Sequence, residues 1–177
     1  MVAIIDYGLG NLGSIQNMFK KIGTTSVVTS DLNIIDKADK IILPGVGAFD
    51  DGMTNLEEKG IIPVLNKKVL VDKVPVLGIC LGMQLMTNSS EEGAKNGLKW
   101  VDAVTLRFQF EDNNLKVPHM GWNVVTPTTS NHILPVCDEQ VRYYYVHSYY
   151  VKLNDKSLEM ASTTYGIKFT SAFHKGN

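Results

Sequence analysis

The chain has only two cysteines among its 177 residues, Cys80 and Cys137, and neither belongs to a C-x-x-C pair. That excludes a cysteine metal knuckle and a disulfide scaffold, so the two are read as independent thiols. Blocks of like charge are missing too, with 17 Lys and Arg against 18 Asp and Glu. Such a balance offers no footprint for nucleic acid and no patch for an anionic membrane. No apolar run approaches the ~18 residues of a membrane span, and "MVAIIDYGLG" at the start has no basic region or cleavage pattern. A cytosolic location is expected. Repeats, low-complexity tracts and linker-like shifts are also absent, and residues 1–177 are read as one domain.

What the sequence does contain falls into two parts. In the first, short Val- and Ile-rich runs alternate with helical spacing. Residues 2–7 read as a buried strand, and Ile15, Met18, Phe19 and Ile22 then recur at helical intervals before a stop at Gly23. Residues 26–29 and 40–43 are further strands, the second running into the glycine-rich "PGVG" of residues 44–47, after which a helix is expected. Residues 76–79 form a fourth strand, and Gly82 to about Asn88 its helix. Repeated βα units with continuous apolar strands predict a mostly parallel sheet with helices on both faces. From about Val101 the period shortens towards two. "VTLRFQF", "VRYYYVHSYYVKL" and "IKFTSAF" predict an antiparallel β region in the C-terminal half, with "KGN" as a hairpin turn.

The chemistry concentrates at Gly78-Ile79-Cys80-Leu81-Gly82. This is G-x-S-x-G spacing with cysteine in place of serine, and a sharp strand-to-helix turn needs small residues at both flanks. Such an elbow lifts the side chain to the carboxyl edge of the sheet, where α/β sheets bind ligands. It also sets the thiol at a helix N-terminus, which favours the thiolate, and aims the Leu81 N–H where an oxyanion would form. The competing reading is a core cysteine between two incidental glycines. At Gly45-Val46-Gly47 the backbone can approach a ligand closely and contribute a second oxyanion amide; a plain tight turn is the alternative. Neither the third glycine of a dinucleotide fingerprint nor the lysine of a P-loop is present, so no nucleotide, metal or other cofactor is expected.

Six stretches carry a resemblance. "DYGLGNLGSI" (6–15), "LPGVGAF" (43–49), "GICLGMQL" (78–85), "VPHMGWN" (117–123), "YVHSYY" (145–150) and "YGIKFTSAFHKGN" (165–177) occur in this order. Together they resemble the glutaminase subunits of imidazole glycerol phosphate synthases, class I triad-type glutamine amidotransferases with a flavodoxin-like fold. The resemblance implies that Cys80 attacks the carboxamide of glutamine, forms a glutamyl thioester and releases ammonia. Leu81, Val46 and Gly47 would supply oxyanion amides, the PGVG loop rearranging first, and Gly45, Gln84, His147, Ser148 and Tyr149 would line the glutamine pocket. The implied partner is a cyclase subunit with a (β/α)8 barrel that takes up the ammonia, forming a heterodimer. In the family a strand carrying F-H-P-E follows "SAxxxGN" and brings the base and its orienting acid. Residues 1–177 are therefore expected to lack the last strand and helix, and to be nearly inactive by themselves.

Four histidines remain to be placed. From sequence alone His147 is the one to nominate as a substitute base. His119 reads as structural or partner-facing, His132 and His174 as solvated surface, and Cys137 as a spectator. Two other functions stay open: ammonia supply to an amidotransferase acting on cell-surface sugars, and a non-catalytic binding subunit, cysteine hydrolase or sensor built on the same elbow.

Overall fold

Strands that are apolar on both faces need helices on both sides. The computed structural model, which describes residues 1–111, 115–128, 133–134 and 141–177, has that arrangement in its first half. In chain order come β1 (Val2–Ile5), α1 (Leu12–Lys21), β2 (Ser26–Thr29), α2 (Leu32–Asp36), β3 (Lys40–Leu43) and α3 (Phe49–Glu58). Then follow α4 (Ile62–Asn66), a π turn at Lys67–Val71, β4 (Val76–Gly78) and α5 (Leu81–Leu85). The four strands form a parallel sheet in the order β2-β1-β3-β4. On one face Ala3, Ile5, Ile41 and Leu43 pack against Ile35, Phe49, Leu56 and Leu81 of the helices. On the other, Val2, Ile4 and Ile42 pack against Leu12, Ile15 and Phe19 of α1. Those three residues form a partly buried stripe, and Met18 and Ile22, expected to share it, are exposed.

Local chemistry sets the helix ends. The Asn11 side chain accepts from the Ser14 N–H at 3.2 Å and caps α1, and Gly23 beyond its last turn takes φ +72°. α5 stops at Leu85 instead of near Asn88 because the returning chain takes its carbonyls. Leu98 N–H donates to Leu85 O at 2.8 Å, Trp100 N–H to Met86 O at 3.0 Å and Gly97 N–H to Asn88 O at 2.9 Å.

The second half is antiparallel as expected, but its strands divide differently. They are β5 (Ser89–Ser90), β6 (Ala103–Arg107), β7 (His119–Val124), β8 (Thr126–Pro127), β9 (Arg142–His147) and β10 (Tyr149–Leu153). β11 (Glu159–Tyr165) and β12 (Ile167–Phe173) follow a short 3-10 turn at Lys156–Leu158. One sheet has the order β5-β6-β10-β12-β11-β8, with β5–β6 its parallel pair, while β7 and β9 form a separate two-stranded ribbon. The run at 141–153 is thus two strands in two sheets. It breaks at Ser148, whose carbonyl accepts the Phe108 N–H at 3.0 Å. β11 escapes a hydropathy reading because its buried run, Met160 to Thr163, has no apolar–polar alternation and ends in the polar Ser162 and Thr163. At 175–177 the Asn177 N–H turns back to Lys175 O at 3.0 Å, a tighter turn than a hairpin. The Asn177 side chain meanwhile donates to Val69 O and Val74 O. His132 and Cys137 lie outside the described residues.

Candidate active site

The elbow is enforced by contacts on three sides. Cys80 stands between β4 and α5 with φ +53° and ψ −114°, a backbone state that costs a non-glycine residue about 1–3 kcal/mol and persists only where its surroundings hold it. At Gly82 an added methyl would lie 1.7 Å from the Leu43 carbonyl oxygen; at Gly78 it would lie 2.8 Å from the Met83 N. Both flanking glycines are therefore demanded by close backbone approach. Gly45 is demanded too, since its methyl would fall 2.2 Å from the Tyr7 hydroxyl and 2.8 Å from the Leu81 Cβ. The PGVG turn thus lies directly on the start of α5, with Gly47 at φ +114° and Val46 exposed.

A cavity of about 1000 Å³ opens beside the elbow. Of the residues nominated from sequence, Cys80, Gln84, His147 and Tyr149 line it, while Gly45, Val46, Gly47, Leu81 and Ser148 do not. Leu77 on β4, Ile79 just beyond its end and Met83 on α5 make one wall apolar. Gln84, buried on α5, donates from Nε2 to the Tyr149 carbonyl at 3.4 Å, a long bond that ties the elbow helix to β10. The same carbonyl accepts from His147 Nδ1 at 2.8 Å, and His147 Nε2 meets His119 Nδ1 at 2.9 Å. Both ring nitrogens of His147 are therefore engaged. The histidine nominated as a substitute base is committed to holding a strand, and burial pushes its pKa below the ordinary value. His119, by contrast, is structural, as one of its two sequence readings had it: it is 2% exposed, and Tyr145 and Tyr165 stack on its ring.

The thiol departs from the expected electrostatics. Desolvation against the apolar wall raises the Cys80 pKa, the Glu92 charge raises it further, and the Leu81 N–H works in the opposite direction. Cys80 is exposed at the cavity edge and shares that lining with Leu77, Ile79 and Met83. A five-residue helix supplies too little opposing field, so the thiolate is not favoured in this state. Among the described residues no histidine acts on the sulfur. Two residues beyond the sequence reading bear on the site. Tyr7 is buried under the PGVG turn and donates to Pro44 O at 2.5 Å; burial, then the Cys80 thiolate, raises its pKa. Its only sequence signal is its place in "DYGLGN". Glu92 accepts the Phe49 N–H at 2.9 Å at the start of α3, and nothing in "NSSEEG" marks it. No cluster of three or more His, Cys, Asp or Glu able to hold a metal occurs among the described residues, and none of their helices is long and apolar enough to cross a membrane.

Residues 3–177 match the family Glutamine amidotransferase class-I. The chain belongs to that family. Imidazole glycerol phosphate synthase subunit HisH 2 of Methanococcus maripaludis is 54% identical over 177 residues, spanning 100% of this chain and 87% of that protein. The protein of the same name from Pseudomonas aeruginosa is 45% identical over the same spans, and subunit HisH of Leptospira interrogans is 40% identical over 179 residues. Identities at this level over the whole chain place it among the HisH subunits. A solved glutamine amidotransferase superposes with a TM-score of 0.69 at 13% identity, covering 98% of this chain and 90% of its own. One from Thermotoga maritima gives 0.61 at 17% identity, covering 98% and 74%. These distant structures carry the fold: a parallel α/β core with added antiparallel sheets is the class I amidotransferase architecture.

Proposed function

We propose that this HisH subunit hydrolyses glutamine at Cys80 and passes the ammonia to a synthase partner forming imidazole glycerol phosphate in histidine biosynthesis. The observation that carries the reading is the enforced elbow, Cys80 at φ +53° between glycines that admit no side chain, in a chain of the amidotransferase family. The thiolate adds to the carboxamide carbon, and the Leu81 N–H with an amide of the Val46–Gly47 turn stabilises the oxyanion. Collapse breaks the C–N bond, ammonia leaves with a proton from the base, and water then cleaves the thioester to glutamate. Gly45, Gln84, His147, Ser148 and Tyr149 bound the substrate, partly through backbone. The raised thiol pKa fits a resting state that partner docking must activate. The partner is a (β/α)8 cyclase that channels the ammonia within a cytoplasmic heterodimer.

Residues 1–177 are read as one amidotransferase domain whose triad base comes on a further strand. Support comes from the outer edge of β4, which has no strand paired to it among the described residues and faces the cavity beside Cys80. On this reading the 177 residues with the partner turn over glutamine at least about 10²- to 10⁴-fold more slowly than a chain carrying F-H-P-E. The decisive experiment is glutaminase activity of the complex formed by a chain carrying F-H-P-E, with and without Cys80→Ala, read beside labelling of Cys80 by a glutamine-mimicking chloroketone. Loss of both turnover and label is expected. Turnover that survives Cys80→Ala would remove Cys80 from the chemistry.

A further inference from the structure

Behind the pocket, His147 joins two side chains that the proposed chemistry leaves aside, His119 and Asn123, in a single hydrogen-bonded line. The Tyr149 carbonyl can only accept, so its 2.8 Å contact with His147 places the proton on Nδ1 of that ring. At the other end Asn123 is fixed in orientation, because its Oδ1 accepts the Val124 N–H at 2.8 Å and its Nδ2 donates to Thr164 O at 2.9 Å. The same Nδ2 meets His119 Nε2 at 3.2 Å, so that nitrogen accepts. Only one neutral arrangement joins the two ends: His119 Nδ1–H donates to His147 Nε2 across 2.9 Å. Donation runs in one sense, from Asn123 through His119 and His147 to Tyr149. An added proton on either ring sets donor against donor and breaks the line.

The line connects two parts of the molecule. His119 and His147 are cross-strand partners in the β7–β9 ribbon, whose opposite face exposes Met120, Trp122, Tyr144 and Val146. The Tyr149 carbonyl at its end also receives Gln84, one turn along α5 from Cys80. The titratable groups facing the two rings are the phenols of Tyr145 and Tyr165, and among the described residues no carboxylate or cation acts on either imidazole. Burial first, and the neighbouring His147 second, hold the His119 pKa down to about 4, so the line stays neutral at physiological pH.

We propose that His119 and Asn123 are positioning residues for glutamine binding: by locking His147 in its Nδ1–H form they hold the Tyr149 carbonyl, and with it Gln84, against the elbow. This role rests on the reading of Cys80 and its pocket given above. The test uses a chain that carries the F-H-P-E strand, in complex with its partner subunit. His119→Phe keeps the stacked ring and removes the donor, whereas His119→Asn places an amide N–H near the lost Nδ1–H. His119→Phe should raise KM for glutamine about 3- to 10-fold, the effect of losing one hydrogen bond, with kcat within about twofold, and His119→Asn should recover most of it. An unchanged KM, or a fall in kcat alone, overturns the role. Should His119→Phe fail to fold, nitrogen-15 spectra of the wild-type imidazoles decide, since both rings must carry Nδ1–H at neutral pH and an Nε2–H on either refutes the line. Absence of turnover and of Cys80 labelling in the wild type overturns the reading of Cys80 and this role with it, while the Nδ1–H pair would still appear in the spectra.

Discussion

Replacing Gly82 by alanine puts the elbow geometry under direct stress. The new methyl would stand 1.7 Å from the Leu43 carbonyl oxygen and 2.7 Å from its carbon. An ordinary carbon–oxygen contact needs about 3.3 Å or more, so α5 and the end of β3 must part by roughly 1.5 Å. Neither side is a flexible tip. Leu43 O accepts the Ile79 N–H at 3.0 Å, and separating the two backbones strains the hydrogen bond that leads the chain into the elbow. Overpacking costs typically 1–3 kcal/mol, and a backbone-to-backbone clash belongs at the upper end, about 3 kcal/mol. For a chain of this size that is a fall in Tm of about 6–12 °C. Gly13→Ala in α1 is the internal control. Nothing lies within 4 Å of its new methyl, and relief of glycine's entropic cost in a helix should raise Tm by about 1–4 °C. Thermal unfolding by circular dichroism, with Cys80 alkylation rates alongside, reads both variants. A Gly82→Ala protein melting within about 1 °C of the parent would refute the argument that this glycine is sterically required.

Glu92→Gln removes a charge that raises the Cys80 pKa, so the midpoint of thiol alkylation against pH should move lower, by less than burial itself contributes. Iodoacetamide labelling followed by mass spectrometry measures it, and an unmoved midpoint means Glu92 does not act on the sulfur. Stability should also depend on pH through His119, whose folded pKa of about 4 lies below the ordinary 6.5. Between those values the unfolded chain binds more protons, so stability is full above about pH 6.5 and falls as pH drops towards 4. Urea unfolding at neutral and mildly acidic pH should show that loss shrinking in His119→Phe; an equal loss in both proteins would assign the dependence elsewhere.

The parallel half of the fold could be read residue by residue because its signals are local. Residues 26–29 and 40–43 are short strands centred on the β-branched pairs Val27-Val28 and Ile41-Ile42, and both appear with those bounds. β1 and β4 end one or two residues before expectation, and α5 ends early where the 97–100 segment takes its backbone carbonyls. The antiparallel half hid more. β7 and β11 bury polar residues, His119 on one and Ser162 and Thr163 on the other, and a hydropathy period cannot register a buried polar side chain. Residues 141–153 look like one strand because the interruption at Ser148 is made by a hydrogen bond from Phe108, forty residues away.

By itself the sequence determined the elbow: which residue is the thiol, which glycines flank it, and that a parallel βα core presents it. Those are properties of adjacent residues and of steric limits that travel with them. Tertiary structure alone decided the thiol's electrostatics, because Glu92 and the apolar wall reach Cys80 only after folding. It also decided the fate of His147. A histidine that looks available in "YVHSYY" meets its partner 28 positions away across the β7–β9 ribbon, and a ring whose two nitrogens are both bonded has no lone pair left for catalysis.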